Sequence, residues 1–223
     1  MYVGWHMKRD VITITPDTSV LKAREHMDTH RISHLPVVDE KFRLLGIVTD
    51  RDLKESWASP ASTLSVYELT YALLKLTVES IMTRQVVTAE PDMPIERAAR
   101  IMRDRKIGAL PVVEGGKVVG IITSNDLLEV LLIAIGMAEE AARLSVFVRD
   151  RMGVLAEMTR ALQQAGVNVR SMFTLPVKDH DEIWQIIVRV RKEAGETAKA
   201  ALEGAGFKVL SGYAKDPTPW LPA

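Results

Sequence analysis

The chain repeats itself once. Gly46-Ile47-Val48-Thr49-Asp50-Arg51-Asp52-Leu53 returns as Gly120-Ile121-Ile122-Thr123-Ser124-Asn125-Asp126-Leu127, and what lies upstream returns with it. Met7 to Thr13 recurs as Met82 to Thr88, and Pro16-Asp17 as Pro91-Asp92. Leu35-Pro36-Val37-Val38 recurs as Leu110-Pro111-Val112-Val113, so the spacing holds near 75 residues throughout. A repeat of this length predicts two like units that bury their apolar faces against one another.

Within each unit the pattern predicts a short strand (Val11 to Ile14), a helix with Val20, Ala23 and Met27 on one face, and two more strands. Thr18 or Ser19 is placed to cap that helix. Proline at the start of the second strand, Pro36 or Pro111, is tolerated because its missing N–H falls at a strand end. Glu114-Gly115-Gly116-Lys117 reads as a tight hairpin. The β-branched run ending at Thr49 or Thr123 predicts a strand, and the residues after Asp52 or Asp126 predict a helix. Thr-x-x-Asp thus stands at a strand-to-helix junction, where backbone N–H groups lack partners. The motif has two readings. It is close to a capping box. It also offers a carboxylate that can accept ribose hydroxyls and a hydroxyl that can donate to a phosphate or sugar oxygen.

Between the repeats, Leu64, Val66, Leu69, Ala72, Leu73 and Leu76 form a helical stripe, read as an inserted connecting helix over 61–78. The helix that opens at Asn125 is expected to run to Ala142. After Arg143 the order becomes β-α-β-β-α-β, a ferredoxin-like unit over 143–212, with a tail over 213–223 read as an extended terminus. Repeat one is assigned to 1–60, and repeat two with its exit helix to 79–142.

Composition narrows the function classes. Lysine plus arginine balances aspartate plus glutamate at 29 each, so no global charge recruits nucleic acid or an anionic membrane. There is no cysteine, which removes disulfides, thiolate metal sites and cysteine nucleophiles. The start lacks the apolar core of a signal peptide, and the longest apolar run, near Leu127 to Ala138, is too short to span a bilayer. A cytoplasmic, soluble protein is the expectation. His26, His30 and His34 are spaced in a way that could ligate a metal, but no third-ligand pattern accompanies them, and no metal is assigned. No paired acid and base stand at a fixed spacing, so no catalytic residue is assigned and the chain is read as not an enzyme.

The paired pattern, strand–helix–Leu-Pro-Val-Val–strand–Gly-h-h-Thr-x-x-Asp (h, apolar), resembles tandem CBS domains, the Bateman module. The resemblance implies α/β repeats that bind an adenine nucleotide, such as AMP, ADP, ATP or S-adenosylmethionine, as a regulatory ligand in clefts between them. It assigns ribose contact to Asp52 and Asp126 and ribose–phosphate contact to Thr49 and Thr123. It also implies base pockets lined by Val11, Ile12, Thr13, Arg31, Ile32, His34, Leu35 and Pro36, and by Val86, Val87, Thr88, Lys106, Ile107, Ala109, Leu110 and Pro111. Each cleft is expected to join the Asp of one repeat to the strands of the other, with Asp126 near His30, Arg31 and His34 and Asp52 near Arg105 and Lys106.

Asp150-Arg151-Met152-Gly153-Val154-Leu155, followed by Ala165-Gly166-Val167-Asn168-Val169, resembles an ACT domain. That likeness implies an amino-acid site at Asp150, Met152, Gly153 and Asn168, or else a unit serving dimerisation alone. The whole arrangement is similar to the acetoin-utilisation protein B-like CBS–ACT family. It implies a non-catalytic regulator, a homodimer or higher oligomer, that couples metabolite level to a protein partner. The alternatives are a regulatory subunit or remnant of a metabolic enzyme, and an assembly module with empty clefts.

Overall fold

A computed structural model describes residues 1–58, 75–137 and 140–222. The connecting helix expected from Leu64 falls mostly on residues 59–74, outside the described residues. The chain forms two compact units, Met1–Leu128 and Glu129–Ala223.

In the first unit each repeat contributes one amphipathic helix, α2 (Val20–His30) or α4 (Ile95–Arg105), and one hairpin. The hairpins are β1 (His34–Val38) with β2 (Leu44–Thr49), and β3 (Ala109–Glu114) with β4 (Lys117–Thr123). A further helix follows each hairpin, α3 (Asp50–Ala58) or α5 (Ser124–Ala134). The segment expected as a first strand is reduced to a single parallel bridge, Ile14 with Val37 and Ala89 with Val112. Only those residues exchange hydrogen bonds with the hairpin. Val11 and Ile12, and Val86 and Val87, run instead along the wall of a cleft. Ser19 is the cap of α2, its Oγ accepting from Lys22 N–H at 3.3 Å. Gly115 and Gly116 both have positive φ, as a two-residue hairpin turn requires.

The repeats exchange their leading segments. Helix α1 (Val3–His6) and Lys8 open repeat one in sequence but bond to repeat two: Val3 N–H to Met93 O, Gly4 N–H to Pro91 O, and Lys8 with Ile121 in both directions. The matching residues before repeat two bond to repeat one: Val78 N–H to Thr18 O, Glu79 N–H to Pro16 O, and Thr83 with Ile47 in both directions. The glycine that opens each repeated octet has its reason here. A Cβ on Gly46 would lie 2.6 Å from Met82 Sδ, and one on Gly120 would strike Met7. Ile14, Val20, Ala23, Met27, Leu35, Val48 and Leu53 close over Val78 and Met82 as the core of repeat one.

The helix expected from Asn125 to Ala142 stops early. α5 ends at Ala134, where Met137 N–H reaches Leu132 O and Gly136 N–H reaches Ile133 O, with Gly136 at φ +77°. This is a Schellman stop, and glycine adopts its left-handed turn without a Cβ clash.

The second unit is a four-stranded antiparallel sheet in the order β6–β7–β5–β8, from β5 (Ala141–Arg149), β6 (Val169–Val177), β7 (His180–Arg191) and β8 (Val209–Leu210). Helices α6 (Val154–Gln164) and α7 (Gly195–Gly204) bury Met158, Leu162, Ala198 and Leu202 against Leu144, Val146 and Val188 on one face. That is the ferredoxin-like arrangement read from the element order. The tail is not an extended terminus. Leu221 and Trp220 pack on Phe147 and Ile183 of the other face, and Lys208 Nζ donates to the Leu221 carbonyl at 2.8 Å. The carbonyls of a chain turning back find a donor there, and two apolar side chains leave water.

Candidate functional site

The capping reading of Thr-x-x-Asp is met, and it occupies one oxygen of each carboxylate. Thr123 N–H and Oγ1 donate to Asp126 Oδ2 at 2.7 and 2.6 Å, and Asp126 N–H returns to Thr123 Oγ1 at 3.3 Å. Thr49 and Asp52 do the same at 2.8, 2.7 and 3.3 Å. This is the reciprocal capping box at the start of α3 and α5. It fixes the rotamer of each carboxylate and uses Oδ2, leaving Oδ1 over. The threonine hydroxyl spends its proton on Oδ2, so it orients the carboxylate rather than donating to a ligand.

Each aspartate lies at one of two clefts in the first unit. The larger, about 420 Å³, joins Thr49, Asp50 and Asp52 of repeat one to Val86, Val87, Lys106, Ile107 and Ala109 of repeat two. The smaller, about 210 Å³, joins Thr123, Ser124 and Asn125 of repeat two to Val11, Ile12, Arg31, Ile32 and His34 of repeat one. Asp126 is not itself on the wall of the smaller cleft; it is buried and tied to Thr123, which is. Neither His30 nor Arg105 is on a wall. Thr13 and Thr88 stand one residue past the walls, half-buried. Leu35 and Leu110 are fully buried and Pro36 and Pro111 are buried with them, so the structure places these four in the core and not on a cleft wall. Strand alternation accounts for Leu35, because His34 before it already faces the cleft.

Two features of the site carried little sequence signal. Arg31 and Lys106 end α2 and α4 in the left-handed conformation, φ 53° and 55°, a position that glycine usually takes. A cation held in that strained backbone stands at the rim of each cleft. Ser33, His34 and Gly108 line both clefts and so form the partition between them. A Cβ on Gly108 would come within 3.1 Å of His34 Nε2, so the imidazole occupies the space that a side chain there would need.

Burial holds the His34 imidazole below its ordinary pKa, with Asp52 pulling weakly the other way. Protons are therefore bound more readily in the unfolded chain. Stability should be full above the ordinary imidazole value and decline as pH falls from about 6.5 toward the folded value. We expect His34→Gln to flatten that part of a stability–pH profile measured by urea denaturation; an unchanged slope would assign it to other groups.

The clefts differ in charge. Asp50 lines the larger one, but Arg24 Nη1 at 2.5 Å and Lys54 Nζ at 2.6 Å hold it. The Lys54 hydrogen bond, with Arg24 in support, keeps its carboxyl below the usual range. The repulsion that this second carboxylate would exert on an anion in the cleft is thus largely offset within the protein. Ser124 stands at the matching place in the smaller cleft.

In the second unit a cavity of about 480 Å³ is lined by Asp150 and Gly153 together with Leu155, Thr174 and Trp184. Met152 is fully exposed and Asn168 exposed, and neither lines it. Arg151 is paired with Glu157 at the rim. His26 and His30 stack with ring centroids 6.2 Å apart, and among the described residues no group of three or more metal-ligating side chains is gathered. No described helix is long and apolar enough to cross a membrane.

Comparison with known proteins follows these boundaries. The CBS domain model matches residues 3–59 and 78–133, and the ACT domain model matches residues 142–207. A homoserine O-acetyltransferase of Methanohalobium evestigatum is 38% identical over 127 residues, which are 56% of this chain and 23% of that protein. The chain therefore spans under a quarter of that relative's length. Among solved structures, the CBS domain pair of protein MJ0100, in complex with 5′-methylthioadenosine and S-adenosyl-L-methionine, is 33% identical at a TM-score of 0.51, covering 59% of this chain and 99% of that one. A candidate acetoin utilization protein (AcuB) from Vibrio cholerae is 28% identical at a TM-score of 0.54, covering 63% of this chain and 98% of that one.

Proposed function

We propose that this chain, which belongs to the CBS domain family and carries an ACT domain behind the CBS pair, is a non-catalytic regulatory protein that binds an adenine nucleotide in its two clefts. The carrying observation is the split use of Asp52 and Asp126. One oxygen of each is committed to the capping box, which leaves Oδ1 of each as the acceptor for a ribose hydroxyl in this reading. Apolar walls from Val11 and Ile12, or Val86 and Val87, suit a purine face, and Arg31 or Lys106 suits phosphate. The adenosine compounds bound by the MJ0100 domain pair support the same ligand class.

Titration calorimetry with AMP, ATP and S-adenosylmethionine tests this. Asp126→Ala should lose about 2 kcal/mol of binding, because a single charge-assisted bond through Oδ1 contributes about 1.5–3. The same variant should lose about 1 kcal/mol of stability as a missing cap. A destabilised variant with unchanged binding would leave Asp126 a cap alone.

The ACT unit adds an amino-acid site in this reading. Asp150 would accept from the ligand ammonium, while the Leu155 and Trp184 walls select an apolar side chain. Nucleotide and amino acid would then bias one another by the usual 1–3 kcal/mol or so of coupling, passed to a protein partner in the cytoplasm. Hydrogen exchange around Asp150 with and without nucleotide reads that coupling.

A homodimer or larger assembly is part of the proposal. Leu128, Leu131, Ile133 and Met137 expose half or more of their surface on and just after α5, an apolar stretch that a second copy would cover. Sedimentation at micromolar concentration should show a species heavier than 24.8 kDa, and only the 24.8 kDa species would refute it. The second reading, a regulatory module serving a metabolic enzyme, draws on the match to one segment of a longer acetyltransferase.

A further inference from the structure

The two clefts are related by the exchange of leading segments, and they differ at the residue each exchange delivers. The bridge to Ile121 brings Lys8 to the smaller cleft, and the bridge to Ile47 brings Thr83 to the larger. Lys8 Nζ stands 3.5 Å from Asp126 Oδ1, the oxygen the capping box leaves over. Thr83 carries no charge to offer Asp52.

We infer that Lys8 makes the cleft over Asp126 selective for adenosine bearing an anionic 5′ substituent, through an ion pair that the cleft over Asp52 lacks. The inference rests on the adenine-nucleotide reading above. A ribose hydroxyl that takes Oδ1 displaces the ammonium. With adenosine alone nothing replaces the lost carboxylate, and the ion pair is subtracted from binding. A 5′-phosphate offers the displaced ammonium a stronger anion. The Lys8 side chain, 64% exposed on a flexible stem, is free to follow it. Arg31 at the rim adds a second cation, and Asp10 on the same wall offsets one of the two. In the larger cleft Asp52 Oδ1 has no cation on it among the described residues, so adenosine binds without breaking a pair. A phosphate there meets Arg51 and Lys106, neither of which is released by a ribose contact, and Asp50 is already held by Arg24 and Lys54.

The test titrates adenosine and AMP separately into Asp52→Asn, which silences the larger cleft while keeping an acceptor for the cap. AMP should bind about tenfold more tightly than adenosine, the effect of one charge-assisted contact. Adding Lys8→Thr should bring the two ligands to within about twofold, with adenosine equal or improved. Lys8 keeps its bridge through the backbone, and an unchanged melting curve checks that the fold survives. The reciprocal protein, Asp126→Asn with Thr83→Lys, should prefer AMP over adenosine more strongly than Asp126→Asn alone. An AMP-to-adenosine ratio unmoved by Lys8→Thr overturns the inference alone. Wild-type protein that binds neither compound overturns the function reading and this inference with it.

Discussion

Leu35→Ala is expected to remove about 3 kcal/mol of stability, as truncating a fully buried leucine leaves both lost transfer energy and a cavity. Leu35 has no exposed surface and packs in the cluster of Val20, Ala23, Met27 and Leu53. His34, one residue earlier, faces both clefts, so His34→Ala should change ligand affinity while shifting stability far less. Urea melts beside calorimetric titration separate the two effects. A Leu35→Ala protein of normal stability but poor affinity would place that side chain on the cleft wall.

That contrast shows what the sequence could carry. The repeat, the two hairpins and the β-α-β-β-α-β order were legible because local periodicity and turn chemistry determine them. The Thr-x-x-Asp junctions were legible as capped strand-to-helix junctions because the motif occurs twice with everything around it. Which oxygen does which task was not, since capping and ligand contact call on the same residue types at the same spacing. The resemblance implies Leu35, Leu110, Pro36 and Pro111 as cleft residues beside His34 and Ala109. Successive residues of a strand point to opposite faces, so the neighbour of a cleft residue turns toward the core. The partition of Ser33, His34 and Gly108 was hidden for another reason. It needs residues from both repeats at one place, and neither residue type nor spacing announces that meeting. The docked tail at Leu221 likewise depends on a sheet face assembled from strands far apart in sequence.

Gly120→Val bears on the least legible feature, the exchange of leading segments. A side chain there would strike Met7 Sδ, with Met7 Cγ at 2.9 Å and the Lys8 carbonyl at 3.1 Å from its first carbon. The methionine tip can move, but the carbonyl belongs to the bridge that pairs Lys8 with Ile121. Overpacking against backbone should destabilise the protein by about 3 kcal/mol, at the upper end for added core volume. The loss should be local first. Amides of Lys8 and Ile121 are expected to lose hydrogen-exchange protection before those of β1 and β2, because the former pair forms the bridge that the valine presses on. Nucleotide affinity should fall in the smaller cleft, whose Val11–Ile12 wall follows that bridge, more than in the larger. Met7→Ala combined with Gly120→Val should recover part of the stability, since contacting residues are not additive. Gly46→Val and Met82→Ala should reproduce the behaviour in the other repeat, where the Met82 Sδ approach is 2.6 Å. Double variants no more stable than their glycine-substituted parents would mean that the glycines serve the backbone alone and the methionine contacts do not determine them.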